Sequence, residues 1–373
     1  MVDIIIVRTA NSIIYDPRVR KIIGSLRKKY SISALGWNRE LVSQDKINNY
    51  IAKVELFNVK TSFWKPSLHR ILIRLLIFFP LFWTWVFFKL IVSRPKVVHA
   101  CDLDAVIPCY IYKTIFRKKL VFEVFDRYAM TFIPSKFRRL YSMVNSLEEF
   151  FSEHSNALII ANGQITLDTF KKWSKHWAIL LNCPEDQFVD IPKTPNKKEV
   201  FTIAFTGHIR RHRGLETLTA AVSDLKNVEL IITGRIEDKE ILTQIQGVSN
   251  VKYLGFLEDH NVVTRELSSD VMIALYDPRV LGNSIMLPNK LFEAMMCGLP
   301  IITNLAHQII NETGCGIIVE YDNIKQIKGA IITLRDNPEL RKRLGANGRE
   351  AFLEKYNWNV MEQRLYKVYE DLL

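Results

Sequence analysis

The feature that most constrains this chain is an alternation that recurs along it: a short apolar strand, a segment of helical period, then another apolar strand. In the first half the strands read "DIIIVR" (3–8), "SISALGW" (31–37), "KVVHA" (96–100), "KLVFEVFD" (119–126), "ALIIAN" (157–162) and "AILLNC" (178–183). "DPRVRKIIGSLRKKY" (16–30) carries helical periodicity with a basic exposed face, and a second helix is predicted near 104–115. Apolar strands separated by helices imply a parallel sheet covered on both faces. The polar stretch "PEDQFVDIPKTPNKKEV" (184–200), with three prolines, reads as a linker. A new alternation follows: "FTIAFTG" (201–207), "VELIITG" (228–234), "VKYLGF" (251–256), "VMIALY" (271–276), "PIIT" (300–303) and "GIIVE" (316–320). The tail from 324 to 373 is helical throughout. At 373 residues the chain also exceeds what one hydrophobic core usually serves. The expected fold is α/β, with two facing doubly wound domains over 1–190 and 191–355. A helix at 356–373 is expected to pack back on the first domain. A ligand cleft is expected between the carboxyl ends of the two sheets.

Charge is unevenly placed. Residues 1–192 hold 28 Lys+Arg and 16 Asp+Glu, a balance of +12, whereas residues 193–373 hold 23 of each. A localised anionic partner of the first half follows. Zinc-finger spacing, basic heptads and an RRM signature are all absent, so nucleic acid is set aside. A membrane surface fits better because of "ILIRLLIFFPLFWTWVFFKLIVS" (71–93), the most apolar stretch. Arg74 and Lys89 bracket only fourteen residues there, fewer than the roughly 20 a span needs, and Pro80 interrupts the run. Three readings compete: an interfacial helix, a strained transmembrane span, or a buried core helix. The basic flanks "HRILIR", "FRKK" (116–119) and "KFRR" (136–139) favour the first. The apolar start with an early acid, "MVDIIIVRTA", does not read as a secretory leader. Five scattered cysteines without a CxxC pair point to a reducing compartment and away from a Cys-built zinc site.

Two constellations carry chemistry. "FTGHIRRHRGLETL" (205–218) is a strand ending at Gly207, a basic loop, then Gly214 opening a helix, a turn whose N–H groups favour phosphate. Arg210, Arg211, His212 and Arg213 add guanidinium and imidazole there. A solvated basic loop is the plain alternative. The second is "LPNKLFEAMMCGLPIIT" (287–303), a helix with Pro288 in its first turn, stopped by Gly298. Leu291, Ala294 and Met295 make its buried stripe; Lys290 and Glu293 fall off that stripe and neighbour one another. An exposed ion pair explains them at a few tenths of a kcal/mol. The preceding loop "YDPRVLGNSIM" (276–286), leaving a strand at its carboxyl end, argues instead for a ligand.

In order and spacing, "DPRVRK", "VVHACDLDA" (97–105), "LVFEVFDRY" (120–128), "LNCPE" (181–185), "TGHIRRHRGLE", "LGFLED" (254–259) and "SIMLPNKLFEAMMCGLPII" resemble one family. That family is the retaining nucleotide-sugar glycosyltransferases of the GT-B fold, family 4 (group 1 type), two facing Rossmann-like domains. The resemblance implies donor-binding roles for Gly207, His208, Arg213, Leu257, Ser284, Lys290 and Glu293. Glu293 matches the second acid of an E-x7-E motif that hydrogen-bonds the donor ribose, and Arg213 the position of a diphosphate-binding Lys. The first E-x7-E acid falls at Ile285, and the family's His in the strand "VFEVFD" falls at Phe125. Asp126 is then the catalytic-side candidate beside Arg213. Asn11, Asp16, Arg18 and His99 are expected on the acceptor side.

The expected activity is transfer of a sugar from a nucleotide-diphosphate donor, UDP-sugar before GDP-sugar, to a membrane-borne or lipid-linked glycan. No metal and no cofactor are expected, and the expected location is cytoplasmic, peripheral on the inner face of the cell membrane. Two rival readings are a GT-B UDP-sugar 2-epimerase and a non-catalytic sugar-nucleotide-binding scaffold. A nicotinamide dehydrogenase is disfavoured because no G-x-G-x-x-G follows the first strand.

Overall fold

The structure is a computed structural model and describes residues 2–9, 13–39, 47, 49–59, 77–133, 137–161, 176–187, 200–257, 259–280, 282–283 and 286–373. The chain divides into two compact units. The first comprises residues 1–182 and 362–373, the second 183–361. These divisions lie at 182/183 and 361/362, against 190/191 and 355/356 in the sequence reading.

In the first unit, β1 (Ile4–Arg8), α1 (Pro17–Leu26), β2 (Ile32–Trp37) and β3 (Lys53–Phe57) precede the apolar helix α2 (Phe79–Ser93). Then come β4 (Val97–Cys101), α3 (Leu103–Phe116), β5 (Lys119–Val124), α4 (Tyr128–Phe132), α5 (Arg138–His154), β6 (Ala157–Ile160) and β7 (Trp177–Ile179). The seven strands form one parallel sheet in the order β3-β2-β1-β4-β5-β6-β7. β1 and β4 are buried at every residue, as two-sided cover requires of "IIIVR" and "VVHAC". Strand order reverses between β1 and β4, so ligand-facing positions are expected at their carboxyl ends. β3 was not anticipated; "KVELF" carries two charges in five residues and no residue of it is fully buried.

α1 starts where it does because the Asp16 side chain accepts from the N–H groups of Arg18 and Val19, with Pro17 at the first helical position. α2 buries Phe79, Phe82, Val86 and Leu90, a stripe at spacings of three and four. Phe82 stacks on Trp37 at 5.4 Å, and Phe79 meets the same indole edge-on. The opposite side of α2 leaves Leu81, Phe88 and Val92 exposed. Of the 71–93 segment, residues 71–76 lie outside the described residues; the remainder joins the core on one side only. Among the described residues, no helix is long and apolar enough to cross a membrane.

The second unit runs β8 (Phe201–Thr206), α6 (Leu215–Val222), β9 (Val228–Thr233), α7 (Lys239–Gln246), β10 (Val251–Tyr253), α8 (Asp259–Leu267) and β11 (Val271–Ala274). It continues with α9 (Asn289–Cys297), β12 (Ile301–Thr303), α10 (His307–Thr313), β13 (Gly316–Ile318), α11 (Ile324–Asp336) and α12 (Pro338–Glu354). Its parallel six-stranded sheet has the order β10-β9-β8-β11-β12-β13, with the reversal between β8 and β11. α9 is the helix read from "PNKLFEAMMC", except that Pro288 is its N-cap rather than part of its first turn.

The helical tail is broken twice. Asn337 caps α12, and Asn357 precedes α13 (Trp358–Glu370) with its side-chain carbonyl accepting from Val360 N. From residue 362 onward α13 belongs to the first unit. Its Tyr366 hydroxyl donates to Ser25 O at 3.0 Å, and Glu362 pairs with Lys28 at 2.7 Å.

Candidate functional site

In the second unit the two strand ends at the reversal carry the basic loop and the aspartate loop. β8 ends at Thr206, and Gly207 follows at φ +140°. Its carbonyl lies so close to Gly234 that a Cβ added at residue 234 would stand 1.6 Å from it, which fixes glycine there. Gly214, at φ +66°, opens α6; a Cβ on it would sit 2.7 Å from Leu275 Cβ. The Gly214 N–H donates to the Tyr321 hydroxyl at 3.2 Å.

Between these glycines most of the positive charge is already matched. His208 Nδ1 lies 2.6 Å from Glu237, and Arg210 lies 3.6 Å from the same carboxylate. Arg211 pairs with Asp238 at 2.9 Å and with Glu240. His212 Nδ1 lies 2.9 Å from Asp277, whose carboxylate is held well below its ordinary range chiefly by the hydrogen bond from Arg279. Arg213 differs from its neighbours. Its guanidinium lies over the Tyr276 ring at 4.2 Å, and its Nε is buried without a hydrogen-bond partner. Arg213 is thus a half-buried guanidinium resting on an aromatic face with one buried donor left over.

Lys290 and Glu293 do meet, on the first turns of α9, with side chains about one-fifth exposed. A third group, missed by the sequence reading, joins them. Glu266 of α8 is fully buried, accepts from the Thr206 hydroxyl at 2.7 Å and lies 3.5 Å from Lys290 Nζ. Burial pushes Glu266 up to about 7 despite Lys290 beside it. Burial works against the charge of Lys290, yet Glu293 and Glu266 hold its ammonium above the ordinary range. In "TRELSSD" the acid reads as a solvated helix residue beside Arg265. Only the packing of α8 on β8 and α9 encloses it. Leu257 is half-buried on the loop after β10, a loop that reaches Gly234 through the 3.0 Å bond from Gly234 N to Gly255 O. Ser284 and Ile285 lie outside the described residues.

In the first unit the strand ends gather a buried ionic network. Arg8, the last residue of β1, pairs with Asp16 at 3.0 Å and with Asp102. Asp102, just past β4, accepts from Phe125 N at 2.9 Å, and burial raises its carboxyl to about 6 against the pull of Arg8. Arg18 donates to Glu123 Oε1 through Nε at 2.8 Å and Nη2 at 2.5 Å; its Nη1 is buried without a hydrogen-bond partner. Both guanidinium groups lie over the Phe125 ring, at 4.1 Å for Arg8 and 5.2 Å for Arg18. Asp126 follows, exposed, with both arginines in electrostatic reach. Asn11 lies outside the described residues.

Asp16 and Arg18 are thus buried, the first as a helix cap and the second as the partner of Glu123. His99 is fully enclosed, with Nε2 2.9 Å from Glu123 and Nδ1 2.7 Å from the Tyr369 hydroxyl of α13. Both of its ring nitrogens are therefore committed within the first unit. Burial opposes the charge of Glu123, but Arg18 and His99 hold it down at about 2. His99, Cys101 and Glu123 place three donor atoms within 4.8 Å of one another. The Glu123 oxygens of that cluster are bonded to Arg18 and His99. Arg8 and Asp102 are the residues that sequence reasoning missed here; the available signal was a charge at the carboxyl end of an apolar strand.

Residues 186–351 match the family model described as Glycosyl transferases group 1. This corrects the family-4 expectation: the match supports a glycosyltransferase of the group 1 description in its place. The chain is 26% identical over 188 residues to an uncharacterized glycosyltransferase of Methanocaldococcus jannaschii, covering 47% of this chain and 46% of that one. It is 25% identical over 197 residues to a GDP-mannose-dependent monoacylated alpha-(1-6)-phosphatidylinositol monomannoside mannosyltransferase of Corynebacterium glutamicum, covering 50% and 51%. These alignments span about half the length of the curated relatives. In fold, it superposes on sucrose-phosphate synthase from Thermosynechococcus elongatus with TM-score 0.74 and 15% identity, covering 100% of this chain and 99% of that one. It superposes on HepE of Anabaena in complex with UDP with TM-score 0.71 and 15% identity, covering 99% and 100%. The expected fold class, two Rossmann-like doubly wound domains of the GT-B type, is the fold found.

Proposed function

We propose that this protein is a retaining glycosyltransferase that takes a sugar from a nucleotide-diphosphate donor, a UDP-sugar first and a GDP-sugar next. The acceptor on this reading is a membrane-borne or lipid-linked glycan. The observation that carries the proposal is Arg213, whose Nε is buried without a partner while the neighbouring basic residues are matched by acids. Arg213 meets the donor diphosphate together with the Gly207 loop, His208 and the start of α6. Glu293 receives the ribose, Leu257 lies near the base, and Ser284 and Lys290 serve the sugar-phosphate side. The UDP complex of the similar Anabaena fold supports UDP; the mannosyltransferase similarity keeps GDP as second choice.

The chemistry asked of these residues is modest. An oxocarbenium-like transition state needs its departing diphosphate stabilised as negative charge develops. A guanidinium and oriented N–H groups supply that charge without a metal. Asp126, exposed just past β5, is assigned to the sugar side, and Asn11, Asp16 and Arg18 to the acceptor side, Arg18 lying over the Phe125 ring.

Two observations support a membrane acceptor and a peripheral location on the cytoplasmic face. α3 packs against both α2 and α5, and these helices expose Phe88, Val92, Ile115 and Met143. Arg94 and Arg117, which end α2 and α3, and Arg138 and Arg139, which open α5, are exposed and suit anionic lipid headgroups.

The test is incubation of the purified protein with UDP- and GDP-sugars and a lipid-linked acceptor, with the anomeric configuration of the product determined. Transfer with retention is expected. Release of an epimerised sugar nucleotide without transfer would replace this reading by the epimerase, and binding without turnover by the scaffold.

A further inference from the structure

Glu266 presents a problem of hydrogen-bond chemistry. Its Oε1 is engaged by Thr206 and approached by Lys290, but its Oε2 is buried with no donor to satisfy it. The Lys290 ammonium that approaches its Oε1 at 3.5 Å is also bonded to Glu293 Oε2, so a second carboxylate, another acceptor, gathers at the same cation. Two carboxylates facing one another in a dry site repel if both are ionised. A single proton on Glu266 turns that repulsion into a bond, with the acid donating to Glu293.

Resting on the reading of Glu293 as the ribose ligand, we propose that Glu266 is a positioning residue that works as the protonated acid. Its O–H donates to Glu293 and aims that carboxylate at the donor nucleoside, while Thr206 fixes Glu266 from the strand that leads into the phosphate loop. Lys290 neutralises the charge that remains on Glu293.

The groups facing Glu266 are few. From β8 comes Thr206, and from α9 come Lys290, Glu293 and Cys297; Tyr276, beyond β11, acts on Lys290. Burial pushes the Cys297 thiol up, and the ammonium of Lys290 is held above its ordinary range, so neither changes charge near neutrality. Glu266, raised to about 7, does change charge there. As pH rises through that value the proton leaves, the bond to Glu293 is lost and the donor site loosens.

Titration calorimetry with UDP and GDP on the wild type, Glu266→Gln and Glu266→Leu tests this. The wild-type Kd for the preferred nucleotide is expected to rise about tenfold between roughly pH 6 and pH 8.5. In Glu266→Gln the amide donates to Glu293 at every pH, so Kd stays flat across that range. Glu266→Leu, which fills space but donates nothing, binds about tenfold more weakly even at the acid end. Circular dichroism on each variant establishes that it is folded. A Glu266→Gln profile that follows the wild type, or a folded Glu266→Leu that binds as the wild type does, overturns the proposal and leaves the donor reading standing. A wild type that takes up neither nucleotide at any pH overturns both.

Discussion

Arg213 and Gly234 show how differently two residues of the strand-end loops are constrained. Arg213 contributes little to the fold through hydrogen bonds, since its Nε has none. Arg213→Ala is therefore expected to lower turnover by about a hundredfold to a thousandfold, with a shift in thermal midpoint of only a few degrees. Normal transfer activity in that variant would sink the assignment. Gly234 is the reverse. A methyl group 1.6 Å from the Gly207 carbonyl forces the two backbones apart, so Gly234→Ala is expected to cost about 2 kcal/mol or more in urea unfolding. Arg213 and Glu293 were singled out in the sequence by a strand-to-helix turn, a helix ending at Gly298 and the family resemblance. Glu266 was not, because nothing in "TRELSSD" says that its side chain turns under β8.

Among the elements, α2 was the hardest to read and is the most easily tested. Hydropathy left three fates open because the segment is apolar all round, and which side is core depends on Trp37 and Phe57 from distant strands. Phe82→Ala removes a fully buried ring and is expected to destabilise by about 3–5 kcal/mol. Phe88→Asp and Val92→Asp, at residues 60% and 80% exposed, are expected to leave stability within about 0.5 kcal/mol. Their effect should appear as weaker co-sedimentation with anionic vesicles. Unchanged vesicle binding in the double variant would argue against the membrane reading. α13 offers a second comparison. Tyr369→Phe deletes the bond to His99, leaves a buried ring nitrogen unpaired, and is expected to cost about 1–3 kcal/mol.

On the scale of the whole molecule, the alternation of strands and helices was legible because parallel sheets demand strands apolar on both faces. The strand order was not, since it depends on which crossover packs where. Charge asymmetry makes a prediction here: the +12 of residues 1–192 should make vesicle binding fall steeply as salt rises past about 0.15 M. A second concerns pH. Glu266 has its folded value raised to about 7 from an ordinary 4.5, so the native state binds the extra proton between them. Its contribution to stability is therefore greatest at the acid end and declines as pH rises from about 4.5 to about 7. Urea unfolding at both ends of that window should show a smaller decline in Glu266→Gln than in the wild type. Glu123 acts in the opposite sense at lower pH, its contribution being lost as pH falls from about 4.5 toward 2.

The membership of residues 362–373 in the first unit makes the second unit an insertion within it. A chain that emerges from the ribosome from its N-terminus can close the second unit before the last helix of the first has been made. Until Tyr369 arrives, His99 and the Glu123 ion pair behind it lack their cover, so the polypeptide waits for some 180 intervening residues before sealing what it began. Termination at residue 361 should thus spare the later-made unit and harm the earlier one.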